Sequence, residues 1–365
     1  MSEKKITPYQ DRLIALLEII RQLTAETELD RLLELIVSRT TQLLDADRTT
    51  LYLLNQEAGE LRSKIAEGSM TIRLPVGQGL AGYVAQTGQT INISDVQHDP
   101  RHATYFEQLT GYLVNTMLAA PMCDRAGNII GVIQVLNKRV GTFTAEDEEL
   151  LTALASSAAI ALENARLHTQ IQRMLDSLIA TLAAMIDARD KEMAGHSQRL
   201  TDYAVAIARR LGLSTDRIEL IRVAGLLHDV GKIGVPEAIL TKTGELEPEE
   251  KLVIRDHARL TREILSKVHF SDNLREVPNV AAHHHERLDG SGYPDGLRGE
   301  EIPLESRILA VVDVFDALTS HRYYREPVSD QEALAELERD AGVLFDGEVI
   351  KVLKELIAEG EIHHD

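Results

Sequence analysis

The sequence predicts two domains of different class joined by a long helix: an α+β domain built on a mainly antiparallel sheet, then an all-α domain. Three patterns carry this expectation. Through about residue 165, apolar positions alternate or gather in short runs between turn residues, as strands require. From Ala145 to Arg189 there is neither proline nor glycine, and the Ala/Leu-rich composition favours one unbroken helix. After about residue 178 the apolar spacing is helical. A length of 365 residues exceeds one ordinary core. The expected divisions are 1–164, a connecting helix over 165–177, and 178–365.

Taken in order, residues 8 to 45 read as helix. Leu13, Leu16, Leu17, Ile20 and Leu23 recur at helical spacing, and Leu32, Leu33, Leu35, Ile36 and Leu43 follow after a polar break. Such a face is either a core stripe or a dimer seam. Strand-like runs come next: TTLYLL from 49, TIRLPV from 71, INIS from 91 and NIIGVIQVLN from 128. Asp124 to Asn128, between MLAAPM and IIGVIQVL, reads as a hairpin turn. Thr144 and Asp147 form a capping box that opens the long helix, with Phe143 as an apolar anchor. Within that helix Leu167, Ile171, Met174, Leu178 and Met185 approximate a heptad stripe, which points to a parallel coiled coil and a homodimer. Leu200, Tyr203, Ala204, Ile207 and Ala208, then Leu220, Ile221, Ala224 and Leu227, mark helices of the second domain. Ser329 to Glu332 is a second capping box.

Composition excludes several function classes. The single cysteine, Cys123, provides neither a disulfide framework nor a cysteine-built zinc site, and fits a reducing compartment. No apolar run reaches the ~18 residues of a membrane span, and MSEKKITPYQ is no signal peptide, so a cytoplasmic protein without a membrane partner is expected. With 39 basic against 58 acidic residues the net charge of −19 repels nucleic acid polymers and anionic lipid. An anionic substrate would then need local positive charge, which metal ions supply.

Histidine is the residue out of proportion: ten of thirteen lie after residue 190. Glu192 and His196, four apart, share one helix face. His228 and Asp229 stand together in the apolar helix VAGLLHDVGKIG, and Asp313 lies in the apolar ILAVVDVFDAL. His257 comes between, and His284 and His285 open HHERLDGSGYP, a loop punctuated by Gly290, Gly292 and Pro294. An unpaired carboxylate on an apolar helix is costly, and a metal cluster satisfies all of these groups at once. Mixed histidine and carboxylate donors without thiolate suit iron, manganese or zinc.

The runs IRLPVGQGLAGYVAQTG (72–88), NTMLAAPM (115–122) and GVIQVLNKRVGTFTAEDEELL (131–151) resemble a GAF domain, a ligand-sensing module. Asn137, Lys138, Phe143, Asp147 and Glu148 match the pattern of members that bind cyclic nucleotides; the readings it leaves open are a cyclic nucleotide, another small ligand, and a dimerisation scaffold without a ligand. From about 175 to 345 the chain resembles an HD-GYP domain, a branch of the HD metal-dependent phosphohydrolases that cleaves cyclic di-GMP. AGHSQRL (194–200), LLHDVGKIGVPEAILTKTGEL (226–246), HHERLDGSGYPDGLRGEEIPLESRI (284–308) and VVDVFDALTSHRYYR (311–325) carry it. The resemblance implies His196, His228, Asp229, His257, His284, His285 and Asp313 as metal ligands, with Glu192 at a position that accompanies a third ion. Two or three divalent ions per chain are expected, iron or manganese before zinc. His283 makes a triple histidine where the motif has two; His284 and His285 are preferred because they directly precede Glu286.

The implied activity is hydrolysis of cyclic di-GMP to pGpG and onward to GMP, under control of the first domain. Asp229 would bridge two ions and Lys232 would hold a phosphate oxygen. Arg322 and Arg325 would grip the second phosphate, and Tyr293 would touch the substrate. Glu286 and Asp289 are expected to orient ligand histidines from behind. The alternatives are hydrolysis of a mixed cyclic GMP-AMP and a receptor that binds without cleaving.

Overall fold

A computed structural model describes residues 7–65, 72–103, 111–189, 195–242, 244–320 and 326–362. The chain divides into two compact units, Met1–Arg173 and Met174–Asp365. No described helix is long and apolar enough to cross a membrane.

The first unit opens with helices α1 (Pro8–Ala25) and α2 (Leu29–Leu43), so the predicted polar break is real. Thr7 and Gln10 form a capping box at the start of α1. Strands β1 (Ala46–Asn55), β2 (Glu60–Ile65) and β3 (Arg73–Pro75) follow, then α3 (Gly79–Thr87) and β4 (Ile91–Ile93). After them come β5 (Met117–Cys123) and β6 (Ile129–Lys138). The sheet order is β3-β2-β1-β6-β5-β4 and all its pairings are antiparallel, as expected. Asp124 to Asn128 makes the predicted hairpin, with the Asp124 carboxylate accepting from the Ala126 and Asn128 backbone N–H groups.

Period-two patterning sends neighbours to opposite faces. Leu51, Leu118 and Ile133 pack on α1, α2 and the first half of α4 (Ala145–Arg189), whereas Tyr52, Met117 and Val132 pack on α3. The α1 face divides rather than burying whole: Leu16 and Leu23 are buried, but Leu13 and Leu17 are exposed. Along α4, Leu150, Leu151, Leu154, Ala158 and Leu162 are buried on the sheet side.

The second unit is helical: α5 (His196–Arg210), α6 (Thr215–Leu227), α7 (Glu237–Leu240), α8 (Pro248–Leu265), α9 (Val277–Ala282), α10 (Leu304–Thr319), α11 (Asp330–Arg339) and α12 (Gly347–Ala358). The capping box of Ser329 and Glu332 opens α11. A single core joins Leu200, Ile207, Ile221, Ala224, Val280, Leu309, Val312, Phe315 and Leu353.

One local expectation fails. The helix read through VAGLLHDVGKIG stops at Leu227; His228 caps it, and Val230–Gly234 is a tight 3₁₀ turn. Gly231 permits this, because a Cβ there would stand 2.0 Å from the His257 carbonyl oxygen of α8. The close approach brings Asp229 against His257.

Candidate metal centre

Each side chain of the histidine cluster is placed by the end or the buried face of an element. His196 is the first residue of α5, entered through Gly195 in the left-handed region at φ 72°. His228 and Asp229 sit at the end of α6, and His257 lies on the buried face of α8. A 3₁₀ turn over His283–His285 follows α9, and Asp313 lies within α10. His257 Nε2 is 3.2 Å from Asp229 Oδ1, and His284 Nε2 is 3.9 Å from the same oxygen. On the other side His228 Nε2 is 3.3 Å from Asp229 Oδ2, His196 Nε2 is 3.4 Å from Asp313 Oδ1, and His285 Nδ1 is 3.8 Å from Asp313 Oδ2. Sequence separations of up to 117 residues therefore close to one centre.

The backs of the rings are fixed. The Nδ1 atoms of His228, His257 and His284 lie 2.7, 2.6 and 2.6 Å from the carbonyl oxygens of Gly225, Ile254 and Ala281. His196 Nδ1 instead meets Asp316 Oδ2 at 2.6 Å, and Arg199 donates to both oxygens of that carboxylate. The fronts are left without hydrogen bonds: Nε2 of His196, His228, His257 and His284, and Oδ1 of Asp229, are all buried and unpartnered. Buried polar atoms are rarely orphaned, and here they converge. Triads drawn from these residues place one donor atom each within 4.8 Å of the others.

Protonation favours the same use. Burial drives the His284 imidazole well below its ordinary range and holds His285 down at about 3, so both rings are neutral donors. Burial pushes the Asp229 and Asp313 carboxyls up, but His228 and Lys232 around the first, and His196 and His285 around the second, outweigh it and keep both ionised. For His196, burial pulls down and the Asp313 and Asp316 carboxylates overcome it, leaving the ring at about 9. His284 and His285 as neutral imidazoles and Asp229 and Asp313 as ionised carboxylates are donors fit for divalent cations, whereas His196 gives up its proton when a cation binds.

Lys232 Nζ lies 2.7 Å from Asp229 Oδ2. The Tyr293 ring centroid is 4.7 Å from that of His285, and burial raises its phenol, which stays neutral. Gly292 packs so tightly under this loop that a Cβ would stand 2.4 Å from Glu286 Cα. His283 turns away to Asp295, with Nε2 2.8 Å from Oδ2, leaving His284 and His285 at the centre. Glu192, Arg322 and Arg325 lie outside the described residues.

Two expectations are corrected. Glu286 orients no histidine: its oxygens accept from the backbone N–H groups of Asp295, Gly296 and Leu297 and so hold the loop. Asp289 accepts from Ser291 and closes its own turn. Asp316 and the backbone carbonyls do the orienting. Asp316 was legible in principle, since it stands one turn after Asp313 on the same apolar helix. Thr261, which donates to the His228 carbonyl and accepts from Gly231 N–H, and Arg255, whose guanidinium is 5.2 Å from the Tyr293 ring centroid, gave no sequence signal.

Residues 28–162 match the GAF domain family and residues 180–349 the HD domain family. The chain carries a GAF domain followed by an HD domain. Part of the chain is similar to three curated relatives: 44% identity over 177 residues to the cyclic di-GMP phosphodiesterase response regulator RpfG of Xanthomonas campestris, covering 48% of this chain and 46% of that one; 38% over 191 residues to a cyclic di-GMP phosphodiesterase of Thermotoga maritima, 52% of each; and 35% over 210 residues to the 3'3'-cGAMP-specific phosphodiesterase 2 of Vibrio cholerae, 57% of this chain and 40% of that one. The chain thus spans about half the length, or less, of these relatives.

In the GAF domain the motif residues are engaged in holding the fold together. Asn137, at φ 56°, accepts from the Asn115 and Thr116 N–H groups and donates to the Leu113 carbonyl and the Tyr112 hydroxyl. Lys138 Nζ meets Asp147 Oδ1 at 3.0 Å and the Leu44 carbonyl at 2.8 Å, and Arg12 of α1 pairs with the same Asp147. Asp147 also accepts from Thr144, completing the predicted capping box, while Phe143 is buried beside Lys138. Glu148 is held through its backbone N–H by the Thr144 carbonyl. This set ties α1, α2 and β6 to the first turn of α4.

Proposed function

We propose that the HD domain is a metal-dependent phosphodiesterase that opens cyclic di-GMP to linear pGpG, with GMP as the further product. The observation that carries the proposal is the convergence of orphaned imidazole nitrogens on Asp229. His196, His228, Asp229, His257, His284, His285 and Asp313 would hold two divalent ions, and Glu192 would join them if a third binds. Iron or manganese suits the donors best, with zinc next. Bound ions would supply a hydroxide near neutral pH and neutralise phosphoryl charge.

The chain's own residues do the rest. Asp229 presents one oxygen to His257 and the other to His228, the disposition of a bridging carboxylate. Lys232, beside it, donates to a phosphoryl oxygen as charge builds. Tyr293 walls one side against His285 and offers a neutral hydroxyl, and Arg322 and Arg325 take the second phosphate by paired hydrogen bonds. The GAF domain gates turnover through a small ligand or through the geometry of a dimer formed along α4, and the protein works in the cytoplasm. No contact with nucleic acid polymer or membrane is part of this proposal.

The test is incubation of full-length protein, loaded with iron(II), manganese or zinc, with cyclic di-GMP. Linear product is expected with at least one metal; an intact ring with all three rejects catalysis and favours a receptor. The similarity to a relative named for 3'3'-cGAMP supports a second substrate, and rates measured side by side rank the two.

A further inference from the structure

The GAF domain encloses a cavity of about 100 Å³ between the sheet and α3. Two paired strands supply part of its polar lining, and His102 and Tyr112 supply the rest among the described residues. Arg48 lies opposite Leu136 and Thr50 opposite Gln134, so Arg48, Thr50 and Gln134 project from one face of β1 and β6 into the same space. Among the described residues none of the three side chains makes a hydrogen bond or ion pair, Arg48 Nε is buried without a partner, and no carboxylate lines the cavity. The guanidinium carbon lies 4.3 Å over the Tyr112 ring centroid, a cation–π contact. Leu74, Leu80 and Met117 supply apolar wall.

Arg48 is half-buried with its Nε sealed from water and unpartnered, and a planar guanidinium is best satisfied by two parallel bonds to a carboxylate. The volume sets the scale: it is small beside the roughly 300–1,000 Å³ of pockets for drug-sized ligands, and a few times the ~30 Å³ share of one water. The motif residues Asn137, Lys138, Phe143, Asp147 and Glu148 do not line it. We propose that this cavity binds a short-chain carboxylate, of the size of propionate or pyruvate, with its carboxylate on Arg48, its next polar atom on Thr50 and Gln134, and its carbon chain against the apolar wall. The proposal is independent of the phosphodiesterase reading, because binding is measured without turnover.

Full-length protein titrated calorimetrically with acetate, propionate and pyruvate, at constant ionic strength in chloride, decides it. Saturable binding of at least one carboxylate, one per chain, is expected, with Arg48→Gln weakening it at least about tenfold and Gln134→Leu weakening it less. Gln134→Leu keeps the test open if Arg48→Gln melts early. The absence of saturation for all three carboxylates, equal affinity in both variants, or tighter binding of cyclic AMP or cyclic GMP than of any carboxylate overturns it.

Discussion

His196 is held from behind by Asp316, whose carboxyl burial pushes up but which His196 and Arg199 pull down to about 2. Groups that orient a ligating histidine in this way are worth roughly 10–100-fold in metal affinity. Asp316→Asn is therefore expected to weaken one metal subsite by that factor while leaving helix content intact, read by titration against a competing chelator; unchanged affinity would remove Asp316 from the site. A second residue-scale prediction concerns acid. Asp295 is held at about 2, chiefly by the hydrogen bond from Arg262, with burial opposing and His283 assisting. Its folded value lies below its ordinary 3.8, so its contribution is present above that pH and is lost as pH falls through about 2. The side chain is about a third exposed, which keeps the effect modest. In metal-free protein, urea midpoints from pH 5 to 2 should fall less steeply for Asp295→Asn than for the parent; parallel curves would show that the link stabilises nothing.

At the scale of elements, the centre depends on how closely the 3₁₀ turn after α6 lies on α8. A Cβ on Gly231 would meet not only the His257 carbonyl but also Thr261 N at 2.6 Å, so the obstruction is backbone and cannot rotate away. Overpacking of this kind costs about 1–3 kcal/mol or more. Gly231→Ala is expected to lower the melting temperature and to separate Asp229 from His257, measured as reduced metal content by elemental analysis; full metal content would mean the turn tolerates displacement. This turn also marks where the sequence stopped being legible. Apolar residues continue at helical spacing through VAGLLHDV, and nothing local announces a stop, because the cause is a neighbouring backbone more than 25 positions away. Strand β2 was unread for a different reason: ELRSKI has too few apolar residues to show alternation. By contrast the hairpin at Asp124 to Asn128 and the box at Ser329 and Glu332 could be read directly, since their hydrogen bonds close within five residues. The histidine cluster was legible for the reason that its residues are chemically conspicuous on apolar helices, whereas Glu286 was misread because a carboxylate beside a histidine in sequence turned to the loop instead.

Over the whole molecule, α4 changes character along its length. Leu150, Leu154 and Ala158 are 0–1% exposed, but Leu167, Ile171, Met174, Leu178, Leu182 and Met185 are 48–66% exposed. Apolar side chains left in water at three- and four-residue spacing are what a second helix covers, and each one fully buried contributes roughly 1.5–3 kcal/mol. Exposed Leu13, Ile14 and Leu17 on α1 add a second apolar strip. Since none of these positions is a candidate metal ligand or lines the GAF cavity, their burial between two copies of the chain can be removed separately. Leu178→Glu combined with Met174→Glu sets like charges against each other along such a seam, and is expected to convert a dimer to a monomer in sedimentation equilibrium with metal content unchanged. If the parent chain is itself a monomer across the concentrations tested, the stripe joins no two copies, and regulation through dimer geometry falls while ligand gating within one chain still stands.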